Sequence, residues 1–338
     1  MNLNKNDNLG FWSSASLVVG NMIGSGIFLL PASLALYGLV SIIGWLFASI
    51  GAILLAIVFG ELSKIYNKEP GGPYKFTRNV FGDFPGFLVA WGYWISIWST
   101  NTAIVVAFLG YLSVFIPSLN TYPLYSIIIG LFTIWTLTWI NSKEIKTIGF
   151  VQKITVVLKV IPIILVGIIG IFFIDLNNFY SLEIDNEFNF NSITVTTTLT
   201  FFAFLGMESA TIPSDKINKP NSIIKKATLY GTIFTIIIYI LSSISIMGII
   251  PPTTLAQSSA PFADAAEVIA GDYSRKVIAI GAIIATIGAL NGWILIQGQI
   301  PMAASKDKLF PKFFSKTNNN KSPVFGIILS SLLISILL

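Results

Sequence analysis

The sequence predicts an all-α polytopic membrane protein. Three observations carry that class: an excess of apolar over charged residues, apolar runs long enough to cross a bilayer, and basic residues gathered in alternate loops. The 338 residues are 54% hydrophobic and only 10% charged, whereas a soluble domain of this size carries about a quarter charged residues. Most of the surface of such a chain must face lipid.

A spanning helix needs about 20 apolar residues to cross roughly 30 Å of hydrocarbon. Nine segments fit or nearly fit: Phe11–Tyr37, Ile42–Ile65, Phe84–Ile116, Tyr122–Asn141, Ile148–Ile174, Ile193–Ile212, Ile223–Ile250, Val277–Ala304 and Val324–Leu338. The stretch Met1–Gly10 is short and polar. The apolar run after it is too long and too interrupted by glycine for a cleaved signal peptide, so it reads as the first span. The last segment has 15 residues, about 22 Å of helix, so the expectation is a chain that stops inside its ninth helix.

With the N-terminus in the cytoplasm, the second loop holds Lys68, Lys75 and Arg78, and the fourth Lys143 and Lys146. The sixth holds Lys216, Lys219, Lys225 and Lys226, and the eighth Lys306, Lys308, Lys312, Lys316 and Lys321. The fifth loop has Asp175, Glu183, Asp185 and Glu187 without Lys or Arg. The seventh has Asp264, Glu267 and Asp272, with Arg275 and Lys276 only at its far edge. This asymmetry predicts a multi-pass protein of the cell membrane with a cytoplasmic N-terminus.

The chain has no cysteine and no histidine. That excludes a disulfide framework, a thiolate nucleophile and a Cys/His metal site. Any pH response near neutrality must come from a perturbed carboxylate or lysine. A phosphate-binding Gly-rich loop followed by Lys-Ser or Lys-Thr is also absent, so ATP use is not expected. The net charge of +5 is explained by the basic loops rather than by a nucleic-acid partner. No cofactor and no metal are expected.

Two spans are interrupted. The first reads FWSSASLVVGNMIGSGIFLLPASLALY, with Gly20, Gly24 and Gly26 near its middle and Pro31 beyond. Phe11 to Gly20 is about 15 Å of helix, half a bilayer, so a break there sits at the midplane. Small residues also serve helix packing, but three glycines in seven residues favour a true discontinuity. The sixth reads ITVTTTLTFFAFLGMESATI, with Gly206 and Glu208 about midway. A carboxylate at that depth costs about 2.5 kcal/mol or more and should face a cavity or a partner. Breaks in the first and sixth spans suggest an inverted repeat. Half-helix N-termini would then face an anionic group and free carbonyls a cationic one, which together suit a zwitterion.

Four motifs carry a family resemblance: GNMIGSGIFLLP, PGGPYKFTRNVFG, FAFLGMESATIPSDKINKP and GALNGWILIQGQ. Their order and placement resemble the amino acid–polyamine–organocation transporter superfamily, and within it the basic amino acid/polyamine antiporters of arginine/agmatine and putrescine/ornithine type. The resemblance implies a LeuT-like inverted-repeat fold of twelve helices, broken at the first and sixth. This chain would hold about nine of them in one transporter domain, residues 1–338. The first repeat would cover about 11–174 and an incomplete second repeat about 192–338. Family members also form homodimers through their last helices.

The resemblance further implies roles. The N–H groups of Gly24, Ser25 and Gly26 would bind the substrate carboxylate, and carbonyls at Ile23, Phe202 and Leu205 the amine. Phe202 stands where the antiporters typically carry Trp, which keeps an aromatic lid but removes the indole N–H. Trp293 would stack on a cationic side chain, and Asn101 would contact substrate. Ser96 and Ile97 stand at pocket-facing positions. Tyr93 matches an aromatic gate, and Glu208 a gating or proton-sensing carboxylate. Lys159 stands where other superfamily members carry a lysine in place of a bound sodium ion, bridging the first, fifth and eighth helices. It lies deeper in its segment than Lys153, and an intramembrane lysine is a functional candidate in its own right.

The leading expectation is secondary exchange of a basic amino acid for a related amino acid or polyamine, favoured by Trp293. Proton-linked uptake of a neutral amino acid, favoured by Lys159 and Phe202, is the alternative, with a truncated non-transporting fragment as another. A Ser25–Lys159 dyad, as in an intramembrane enzyme, is the least favoured.

Overall fold

A computed structural model of the chain describes residues 9–66, 71–143, 148–179, 190–212, 214, 217, 220–318 and 322–338. The expected loop residues Lys68, Lys146, Glu183, Asp185, Glu187, Lys216, Lys219 and Lys321 lie outside the described residues, as do the side chains of Ser25 and Lys153.

The described residues are helical, joined by short turns. In chain order the α-helices are α1 (Phe11–Met22), α2 (Ser25–Leu34), α3 (Leu39–Ile65), α4 (Pro73–Phe81), α5 (Asp83–Leu112), α6 (Ser118–Thr121) and α7 (Pro123–Lys143). They continue with α8 (Ile148–Gly170), α9 (Phe190–Phe202), α10 (Pro220–Ile249), α11 (Pro252–Ala256), α12 (Pro261–Ala270), α13 (Asp272–Lys306) and α14 (Val324–Leu337). Among the described residues, seven stretches are long and apolar enough to cross a membrane, the first being α1 and α2 taken together. Two of the expected nine fall short. The sixth is cut where α9 ends at Phe202, and α14 has 14 residues.

α3 shows how sequence becomes packing. Ser41, Gly44, Ala48, Ala52, Ala56, Gly60 and Ser63 are buried and recur every three or four residues, so they form one narrow face. Small side chains let neighbouring backbones approach, and this face receives α9 and α10. On the other side Leu46, Phe47, Ile50, Leu54 and Val58 are exposed. Such a surface suits lipid rather than water.

The helices pack in two groups. In one, α10 packs on α1 and α3, and α3 on α9, around an apolar core that includes Val18, Trp45, Phe204 and Tyr239. In the other, α5 lies along α13, with α7 and α14 beside them around Ile104, Phe108, Leu290 and Ile327. α8 touches α1, α10 and α13 and so bridges the groups.

Charges sit at the two ends. Near the start of α13, Arg275 pairs with Asp264 at 3.1 Å and Glu267 at 3.0 Å. Beyond the far end of α13, Asp307 pairs with Lys75 and Arg78, both at 2.9 Å. The link between Lys225 and Glu61 ties the end of α3 to the start of α10.

Candidate functional site

The first span breaks because Ile23 leaves the helical conformation, with φ −74° and ψ 87°, and Gly24 follows at φ −131° and ψ −141°. Ending a helix strips its last carbonyls of their partners four residues on. Three of those carbonyls are taken by side chains from three other spans. The Lys159 ammonium of α8 donates to Gly20 O at 2.9 Å. The Trp293 indole of α13 donates to Asn21 O at 3.3 Å. The Tyr239 hydroxyl of α10 donates to Met22 O at 2.6 Å. All three donors are buried, Lys159 and Tyr239 completely. The break is therefore held open by a donor from each of three neighbours.

Two of these donors were legible in the sequence as Lys159 and Trp293. Tyr239 was missed, although a hydroxyl inside the run TIIIYILSS is the kind of polar group an apolar span places against a partner.

The sixth span breaks just after Phe202. Turns run through 203–208, and a short 3-10 segment, Ser209–Thr211, resumes the direction. Gly206 has φ +103°, a region that L side chains rarely adopt. A Cβ added there would lie 2.8 Å from the backbone carbon of Asn21, so the two breaks meet back to back. Gly26 makes a second close approach, its notional Cβ only 3.0 Å from Ala203 Cα.

Glu208 is buried in this second break. One of its oxygens accepts the Gly206 N–H at 3.1 Å, and the other accepts the Tyr93 hydroxyl of α5. Tyr93 and Glu208, expected as gating residues, are thus direct partners, and they link the two helix groups.

Between the breaks lies a cavity lined by Asn21, Met22, Gly24, Gly26, Thr100, Ile104, Phe202, Ala203, Leu205 and Trp293. Its free volume is about 10 Å³. That is room for about one water, so an amino acid enters only if the helix groups move apart. Gly24, Gly26, Phe202, Leu205 and Trp293, expected at the site, all line it. Thr100 and Ile104 were missed, because α5 is apolar on several faces and its sequence does not say which face looks inward.

The remaining expected residues, and the N–H groups of the first break, are placed as follows. Ile23 is wholly buried and its neighbours line the cavity instead. Asn101 is also wholly buried and faces α13, where its amide donates to Gln297 Oε1 at 2.8 Å. Of the three N–H groups expected to bind a carboxylate, that of Gly24 donates to Met22 O at 2.9 Å. Those of Ser25 and Gly26 open α2, where helix geometry supplies no partner. Ile97 is buried in the α5 core, and the Ser96 hydroxyl donates to Tyr93 O at 2.8 Å.

The loop motif expected between the second and third spans forms α4, which packs on α5. Its Gly71 N–H donates to Ile212 O at 3.1 Å, so it joins the sixth span just past its break. Asp307, following α13, accepts Lys75, Arg78 and, at 3.3 Å, Tyr74. Partial burial works against its charge, but the hydrogen bonds and charges of Lys75 and Arg78 hold its carboxyl below the usual range. Burial and the Asp307 carboxylate push the Tyr74 phenol up.

Comparison with known proteins identifies the family. The family model described as amino acid permease matches residues 9–338. An arginine/ornithine antiporter of Pseudomonas aeruginosa is 32% identical over 96% of this chain and 69% of its own length. A cadaverine/lysine antiporter of Escherichia coli is 31% identical over 96% and 72%. A putrescine transporter of Haemophilus influenzae is 32% identical over 96% and 74%. With two interrupted spans meeting around one cavity and the family's profile running through nearly the whole chain, this protein belongs to the amino acid permease family.

Proposed function

We propose that the chain is a secondary active antiporter of the cell membrane that exchanges a basic amino acid for a related amino acid or a polyamine. The observation that carries this reading is one cavity bordered by three features: the start of α2, the end of α9 at Phe202 and the Trp293 indole. N–H groups at a helix start suit a carboxylate. Carbonyls at a helix end suit an ammonium, and an indole face in a dry site suits a cation at about 2 kcal/mol. The named activities of the relatives, exchange of arginine with ornithine and of cadaverine with lysine, point the same way.

In this reading the breaks belong to the two inverted repeats of a LeuT-like fold, and the N-terminus lies in the cytoplasm, on the side of the Lys75–Arg78–Asp307 cluster. Ser25 and Gly26 bind the carboxylate, and Phe202 and Leu205 turn carbonyls to the amine. Trp293 stacks on the side chain. Tyr93 and Glu208 form the gate, and Lys159 tethers the first span as the groups move.

The second reading is proton-linked uptake of a neutral amino acid, favoured by the wholly buried Lys159. The two separate in proteoliposomes loaded with unlabelled arginine and given labelled arginine. Antiport predicts uptake that needs internal arginine, is lost when alanine replaces the internal arginine, and falls in Trp293→Ala. Uptake of labelled alanine driven by an inward proton gradient, with empty vesicles, would replace the first reading by the second.

A further inference from the structure

Gln297 lies one helical turn beyond Trp293 on α13 and is wholly buried. Its amide nitrogen donates to Ile327 O at 3.2 Å and to the Ser331 hydroxyl at 3.0 Å, both on α14. A backbone carbonyl can only accept, so this contact fixes which end of the Gln297 amide faces α14. The Gln297 oxygen must then face α5, where it accepts the Asn101 amide nitrogen at 2.8 Å. That fixes Asn101 in turn. Its own oxygen is left buried and without a hydrogen-bond partner among the described residues.

A buried acceptor with no donor is costly, about 1–3 kcal/mol, and native structures keep few of them without a reason. Asn101 sits one turn before Ile104 on α5, as Gln297 sits one turn after Trp293 on α13, and both Ile104 and Trp293 line the cavity. The i, i+3 and i, i+4 spacings put Asn101 and Gln297 on the same helix faces as these two wall residues.

We infer that Gln297 is a positioning residue that locks the Asn101 amide with its carbonyl oxygen toward the ligand, so that the site selects side chains ending in a hydrogen-bond donor such as ammonium or guanidinium. The inference rests on the amino acid antiporter reading and deepens it, because it places the choice between cationic and neutral substrates in an amide chain running from α14 to α5. Without Gln297 the Asn101 amide is free to turn, and its NH₂ then meets the cation instead.

The test is equilibrium binding of L-lysine and L-norleucine, which differ in the terminal ammonium, to the full chain in detergent. Gln297→Leu is expected to weaken lysine by about tenfold, as loss of one hydrogen bond to a charged group does, and to leave norleucine unchanged. A merely structural role would weaken both alike. Asn101→Asp in the Gln297→Leu background offers an acceptor in either orientation and is expected to restore lysine preference. Equal weakening of both ligands, or unchanged lysine affinity in a folded Gln297→Leu, overturns the inference while leaving the antiporter reading intact. A wild-type chain that binds norleucine as tightly as lysine overturns both.

Discussion

Gly206→Ala is the sharpest single perturbation of the junction between the two breaks. The φ of +103° costs a non-glycine residue about 1–3 kcal/mol. The added methyl would also lie 2.8 Å from the Asn21 backbone carbon and 3.0 Å from Asn21 O. Neither atom is the end of a flexible side chain, so the breaks must separate, an overpacking cost of about 1–3 kcal/mol. Together the loss is about 2–6 kcal/mol, or roughly 5 °C or more in Tm on the scale of domains of 150–250 residues. Gly24→Ala is the internal control. There φ is negative, and the new Cβ meets side-chain atoms of Ile104 and Ala289 at 3.7–3.9 Å, ordinary contact, so Tm should move by about a degree. Melting of the two variants in detergent, followed by tryptophan fluorescence, checks this ranking. A Gly206→Ala protein as stable as Gly24→Ala would refute the back-to-back contact.

Three further outcomes follow from the same contacts. Lys159→Met removes a buried charge, which by itself is often neutral or stabilising, but it releases the Gly20 carbonyl. Tm should therefore change little while exchange slows by about tenfold, measured in proteoliposomes against a Lys159→Arg variant. Tyr93→Phe deletes the hydroxyl that joins α5 to Glu208. Loss of this one buried hydrogen bond should cost about tenfold in exchange rate, with little change in folding. Asp307→Asn should cost about 1 kcal/mol of stability, since the cluster is partly exposed and screened by solvent. Because Lys75 and Arg78 hold Asp307 below the usual carboxylate range, its contribution is present through neutral and mildly acid pH. It is lost only as pH falls through that lowered value. A Tm difference between wild type and Asp307→Asn that already closes near pH 6 would contradict this.

The sequence carried the span pattern well because a bilayer demands long apolar helices, and most observed ends fall within a few residues of the expected ones. Both interruptions were legible from Gly24, Gly206 and Glu208, residues that lipid-facing helices have little reason to keep. The partners at each break were less legible. Which span supplies a donor to Gly20, Asn21 or Met22 depends on helix rotation and packing, and α5, α10 and α13 are apolar on several faces. Asn101 shows the limit most clearly. Its polarity marked it as a site residue, but its pairing with Gln297, 196 positions away, exists only once α5 and α13 are side by side.

The central claim is that substrate binds in the cavity between the two breaks, and accessibility tests it most directly. The chain contains no cysteine, so Thr100→Cys places a single thiol on the cavity wall. Lys276→Cys, at an exposed end of α13, serves as the remote control. Labelling of each by a small thiol reagent would be timed in proteoliposomes with and without arginine. At ten times its Kd, arginine should slow labelling of Thr100→Cys by about tenfold, because only the unoccupied site reacts, and should leave Lys276→Cys unchanged. Equal labelling of Thr100→Cys with and without saturating arginine, in a protein that still exchanges arginine, would place the substrate elsewhere and contradict the account.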